Sequence, residues 1–108
     1  MEELQAELLE ELQVEMKVDE TELPVLSIKL KNAIREVIAS VNFPSYWEED
    51  KKVEYTKLNY IGNIKDLTMY DYSLVGGEGE LIHAENGTER TFKSRSDCFK
   101  GIVRFADI

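Results

Sequence analysis

The chain is poor in several things. It has one cysteine, one histidine, two prolines and more acids than bases among its 108 residues. Each shortage closes off a class of function. The lone thiol, Cys98, cannot form a disulfide within the chain, which fits a reducing compartment better than a disulfide-stapled fold. A single imidazole, His83, rules out paired-histidine metal sites. No uncharged stretch is long and apolar enough to span a bilayer, so no membrane association is expected. Met1 to Gln5 offer neither a basic start nor an apolar core, and no secretory signal is expected. The 13 Lys and Arg face 22 Asp and Glu, a net charge of -9. Sequence-independent nucleic-acid binding draws its affinity from cations that displace phosphate counterions, so free-standing DNA binding is disfavoured. A fold that merely surrounds DNA is not.

What is present suffices for one core. Hydrophobic residues make up 43% of the chain, and a chain of this size buries about two-thirds of its unfolded surface. The expected organisation is a single domain, residues 1–108, of mainly α class: a helical bundle over 1–75, an extended arm over 76–94, and a short helix and tail over 95–108. Charge is uneven along it. Residues 1–20 carry eight acids and one base, whereas residues 88–108 carry a net +2. Such ends can attract one another between copies, head to tail, or the acids can form an ordinary solvated helix face.

Three long helices are expected. Leu4, Leu8, Leu12 and Met16 recur every four residues, with Leu9 beside them and six glutamates on the other face, which predicts an amphipathic helix of about four turns. A second helix begins near Thr21 or Leu23, with Pro24 in its first turn, where the missing N–H costs little. Its stripe is Leu23, Leu26, Leu30, Ile34, Val37 and Val41, and Asn42-Phe43-Pro44 ends it. Ser45 to Glu48 has the spacing of a capping box, and a third helix is expected from there to Val75, with Leu58, Ile61, Ile64, Leu67 and Leu74 as its stripe. Gly62 within it reads as a site of close approach by a neighbouring helix. Gly76 and Gly77 stop it.

Beyond Gly76 the helical period disappears. Asn86-Gly87 is a strong hairpin signal, because a type I′ turn needs two positive φ angles. Leu81, His83 and Glu85 before it, with Thr88, Arg90 and Phe92 after it, predict a β-hairpin-like arm. An isolated two-stranded hairpin is marginal in water, so the arm is expected to meet a partner. Serines at 94 and 96 precede a short helix through Asp97, Cys98 and Phe99 that Gly101 stops. Ile102, Val103 and Phe105 then form an apolar tail that either adds to a neighbour's sheet edge or folds back on the bundle.

No catalytic, cofactor or metal motif stands up. A Cys98–His83 nucleophile pair lacks any supporting flanking sequence. Glu78, Glu80 and Glu85 lack the spacing of a Ca²⁺ loop, and Gly76-Gly77-Glu78-Gly79 lacks the lysine of a phosphate loop. No cofactor is expected. The residues alone describe a helical bundle with an arm and tail made for a partner, an assembly component rather than an enzyme.

One stretch carries more. Tyr60-Ile61-Gly62-Asn63-Ile64-Lys65-Asp66-Leu67, Tyr70-Asp71-Tyr72, Gly76, Glu78-Gly79-Glu80, His83, Glu85-Asn86-Gly87, Arg90, Ser94-Arg95, Phe99 and Gly101-Ile102-Val103 together resemble the head–tail connector (head completion, or adaptor) family of tailed phages and prophages. The resemblance runs over nearly the whole chain and is most specific in the arm. It implies a structural subunit that forms a ring, usually a dodecamer in that family, beneath the portal protein. Such a ring extends the DNA channel without specific binding to DNA and docks the next neck or tail-completion protein. It implies a place in the virion at the head–tail interface, with assembly in the host cytoplasm. The contacts it implies with neighbouring subunits and portal are Glu78, Gly79, Glu80, His83, Asn86, Gly87, Arg90, Phe92, Arg95, Phe99, Ile102 and Val103. The alternative is a small bacterial helical adaptor that binds a protein partner through the 76–94 arm.

Overall fold

Leucine every four residues puts one apolar ridge along the first helix, α1 (Glu2–Met16), and Leu4, Leu8 and Leu12 on it are buried. The computed structural model describes residues 1–75 and 94–105. Helix α1 ends in a Schellman turn: Lys17 takes the left-handed conformation at φ 56, its N–H donates to the Val14 carbonyl, and the Val18 N–H donates to the Gln13 carbonyl. A single 3-10 turn, Glu20–Glu22, then reverses the chain into α2 (Leu23–Val41), which has Pro24 in its first turn. Asn42, left-handed at φ 60, ends α2 as the sequence predicts.

Helix α2 is the centre of the molecule. Leu26, Leu30, Ala33, Ile34, Val37 and Val41 are all buried, and the helix packs chiefly on α3 (Glu49–Val75). Helix α1 closes the other side. Its acids reach α3 through Lys57–Glu7 at 3.2 Å, Lys65–Glu11 at 2.6 Å and Lys65–Glu15 at 3.0 Å. Burial alone would lower the Lys65 pKa, but the hydrogen bonds to Glu11 and Glu15 outweigh it and the ammonium is held charged. Gln5 Nε2 donates to Ser27 Oγ at 3.0 Å and ties α1 to α2.

Helix α3 departs from expectation in three places. It starts at Glu49, with the Glu48 carbonyl accepting from Lys51 and Lys52, so the Ser45–Glu48 pattern lies ahead of the helix and does not cap it. Its buried face is Val53, Thr56, Tyr60, Ile64, Leu67 and Thr68, and Leu58 is 75% exposed. The reason is geometric. Steps of three residues precess by about 60° each, so Leu58 and Leu67 lie about 180° apart on the helix. The two buried threonines satisfy their hydroxyls on the preceding turn, Thr56 on the Lys52 carbonyl at 2.8 Å and Thr68 on the Ile64 carbonyl at 2.7 Å. Gly62 is exposed, and a Cβ there would have nothing within 4 Å, so among the described residues no neighbouring helix approaches it. At Tyr60 the helix is kinked, with φ -128 and ψ 27.

No strand occurs among the described residues, and the fold is mainly α. The hairpin expected around Asn86-Gly87 lies outside the described residues. The short helix near the C-terminus is a single 3-10 stretch, Arg95–Phe99.

Candidate functional site

Residues 94–105 form a strap along the groove between α2 and α3. It opens with a capping box in which the Asp97 carboxylate accepts the Ser94 N–H at 3.1 Å. The 3-10 stretch follows. Gly101, at φ +86, lets the chain turn out of it at no steric cost.

Arg95 fastens the start of the strap. Its guanidinium takes two carboxylates, each bidentate: Asp71 of α3 at 2.8 and 2.7 Å, and Glu36 of α2 at 2.9 and 2.6 Å. A planar fork with several N–H donors is the group that can do this, and a lysine ammonium is not. Hydrogen bonds to Asp71, and then to Glu36, raise the already high pKa of Arg95, so it stays charged across the usable pH range.

Further on, Asn63 of α3 donates both to the Cys98 carbonyl at 2.9 Å and to the Lys100 carbonyl at 2.8 Å. It closes the C-terminal end of the 3-10 stretch, where carbonyls lack partners of their own. The Val103 N–H donates to the Tyr60 hydroxyl at 3.2 Å. The Phe105 N–H donates to the Val41 carbonyl at 2.8 Å, and Asn42 Nδ2 to the Phe105 carbonyl at 3.1 Å. The strap therefore runs down α3 from Asp71 to Tyr60 while it tracks α2 from Glu36 to Asn42. Its end is held by rings: Phe105 lies 5.5 Å from Phe43, 5.3 Å from Trp47 and 5.5 Å from Tyr55, centroid to centroid.

Cys98 faces the core and is buried. Burial, and then the negative charge of Asp71, push its thiol up to about 11 against the relief that Arg95 gives, so the sulfur is protonated at neutral pH. A protonated, enclosed thiol packs as a small hydrophobe and is not a nucleophile in that state.

Of the contact residues expected from the sequence, Glu78, Gly79, Glu80, His83, Asn86, Gly87, Arg90 and Phe92 lie outside the described residues. The other four are brought together on the strap. Arg95 is engaged with Glu36 and Asp71, Phe99 and Ile102 are half-buried against the core, and Val103 is exposed beside Tyr60. The tail folds back on its own bundle, the second of the two courses open to it. The partners that hold it, Glu36, Asn42, Asn63 and Asp71, carried no periodic signal in the sequence. Opposite charge to Arg95 was the single clue to two of them. No group of His, Cys, Asp and Glu among the described residues is arranged to hold a metal ion. No family model, curated protein or solved structure matches the chain.

Proposed function

We propose that this chain is a structural subunit of a phage head–tail connector, one member of a ring that sits below the portal, surrounds the DNA path and docks the next neck or tail protein. The observation that carries the reading is where the resembling residues meet. Asp71 and Tyr60 from one part of the pattern bond Arg95 and Val103 from the other, and Asn63 bonds the Cys98 and Lys100 carbonyls that lie between them, so that together they fasten the strap to α3. The joining of these separated parts of the pattern in one substructure is what supports the reading. The Arg95–Asp71 pair also joins the last part of α3 to the start of the strap. The portal and neighbour contacts within 76–93 rest on the sequence resemblance alone. The acidic balance of the chain suits a ring through which DNA slides without sticking.

The test is to mix the purified chain with portal rings and measure mass by light scattering. Joining the portal as a defined ring supports the reading. A chain indifferent to portals overturns it and leaves the adaptor reading, for which the next step is capture of a bacterial partner through Arg90 and Phe92.

A further inference from the structure

Two helix faces turned away from the core match one another in chemistry and in spacing. On α1, Glu7, Glu10 and Val14 point away from the Leu4–Leu8–Leu12 ridge, and Val14 is 74% exposed. On α2, Ile28, Lys31 and Arg35 point away from the Leu26–Leu30–Ile34 ridge, and Ile28 is 59% exposed. Glu10, Lys31 and Arg35 have no ion pair among the described residues, and Glu7 meets Lys57 at 3.2 Å with about half its side chain in solvent.

Read from its C-terminal end, α1 presents an apolar residue, an acid and an acid at 14, 10 and 7. Read from its N-terminal end, α2 presents an apolar residue, a base and a base at 28, 31 and 35. Both triplets span seven residue steps, about 10.5 Å of helix. Laid antiparallel, they place Val14 on Ile28, Glu10 by Lys31 and Glu7 by Arg35. We infer that a second copy of this chain docks here, the outer face of α1 on one copy lying antiparallel against the outer face of α2 on the next. Because the two faces belong to different helices of each copy, the contact can repeat head to tail, each copy keeping one face for a further copy. The docking itself stands on these faces. Only the closure of successive contacts into a ring rests on the connector reading.

Competing with this is the repulsion between copies of net charge -9. That repulsion acts at long range and is largely screened beyond about 10 Å at 0.1 M salt, whereas touching pairs are screened less. Association is therefore to be measured near that ionic strength.

The experiment uses the full chain with Glu10→Lys and Lys31→Glu, both at exposed positions, each checked for native helicity by circular dichroism. Mass is followed by light scattering over a concentration series. Wild type is expected to self-associate. Each variant sets like charges opposite one another and is expected to associate at least about tenfold more weakly. An equal mixture of the two variants restores opposite charges at every contact and is expected to recover wild-type association. Three results overturn the inference: a wild-type chain that stays monomeric, variants that associate as wild type does, or a mixture no better than its components. None of these touches the portal-binding test, which stands or falls separately.

Discussion

Replacing Arg95 with alanine tests how the strap is held. In the native chain its side chain is 40% exposed, that of Glu36 42% and that of Asp71 14%. At such exposure each ion pair is worth about 0.5–1 kcal/mol after solvent screening, so losing both costs about 1–2 kcal/mol. That is about a 5- to 30-fold rise in the population of strap-open molecules. Cys98 supplies the assay. It is the single cysteine, it lies on the strap three residues beyond Arg95, and its side chain is buried against the core. A thiol reagent reaches it when the strap lifts, and where reclosing outpaces the reaction, the labelling rate follows the opening equilibrium. We expect wild type to label slowly, Arg95→Ala about 5- to 30-fold faster with helicity unchanged, and Arg95→Lys in between, since it keeps the charge and loses the fork. Added salt should speed wild type and leave Arg95→Ala unmoved. Labelling of Arg95→Ala at the wild-type rate would refute the clamp.

Three further outcomes are expected. Gly62→Ala adds a Cβ to an exposed helical site with open space around it, so it should stabilise the fold by about 1 kcal/mol in a urea titration; destabilisation would mean that something does approach there. Phe105→Ala removes one ring from the group around Trp47, the only tryptophan. It should cost about 2 kcal/mol, half the loss for a fully buried phenylalanine, and red-shift the fluorescence; unchanged emission would place Phe105 off that ring. Stability should fall at alkaline pH. The folded pKa values of Cys98, Tyr72 and Lys65 are all raised, the first two chiefly by burial, so their contribution is intact below the unfolded values and lost as pH rises through the folded ones. For Cys98 that window runs from 9.0 to about 11; urea midpoints of Cys98→Ala should decline less across it than wild type, and parallel declines would argue against burial of the thiol.

The first two helices were legible because their apolar residues keep to a 3.6-residue period and their ends carry Pro24 and Asn42. The buried face of α3 is only partly legible, because Ile64 and Leu67 stand out by hydropathy whereas Thr56 and Thr68 do not. A threonine that bonds its hydroxyl to the turn before it is as buriable as a valine, and hydropathy does not say so. The strap was half legible. Ser94, Asp97 and Gly101 marked a short capped turn, since capping depends on near neighbours. Its attachment was not, because Arg95 meets Asp71 across 24 residues and Glu36 across 59, distances at which pairing leaves no pattern in a single sequence.

Those same separations bear on the order of events in folding. The side-chain bonds that fasten the strap to the helices span from 24 residues, for Arg95 with Asp71, to 63, for Asn42 with Phe105. Contacts so far apart in the chain form after the local helices and the α2–α3 pairing, because loop closure precedes their reward. Interactions absent from the transition state leave the folding rate alone and slow unfolding. The strap therefore governs how long the folded molecule lasts more than how quickly it is made. Stopped-flow traces of Arg95→Ala should show faster unfolding with refolding unchanged, and slowed refolding would place the strap in the folding nucleus instead.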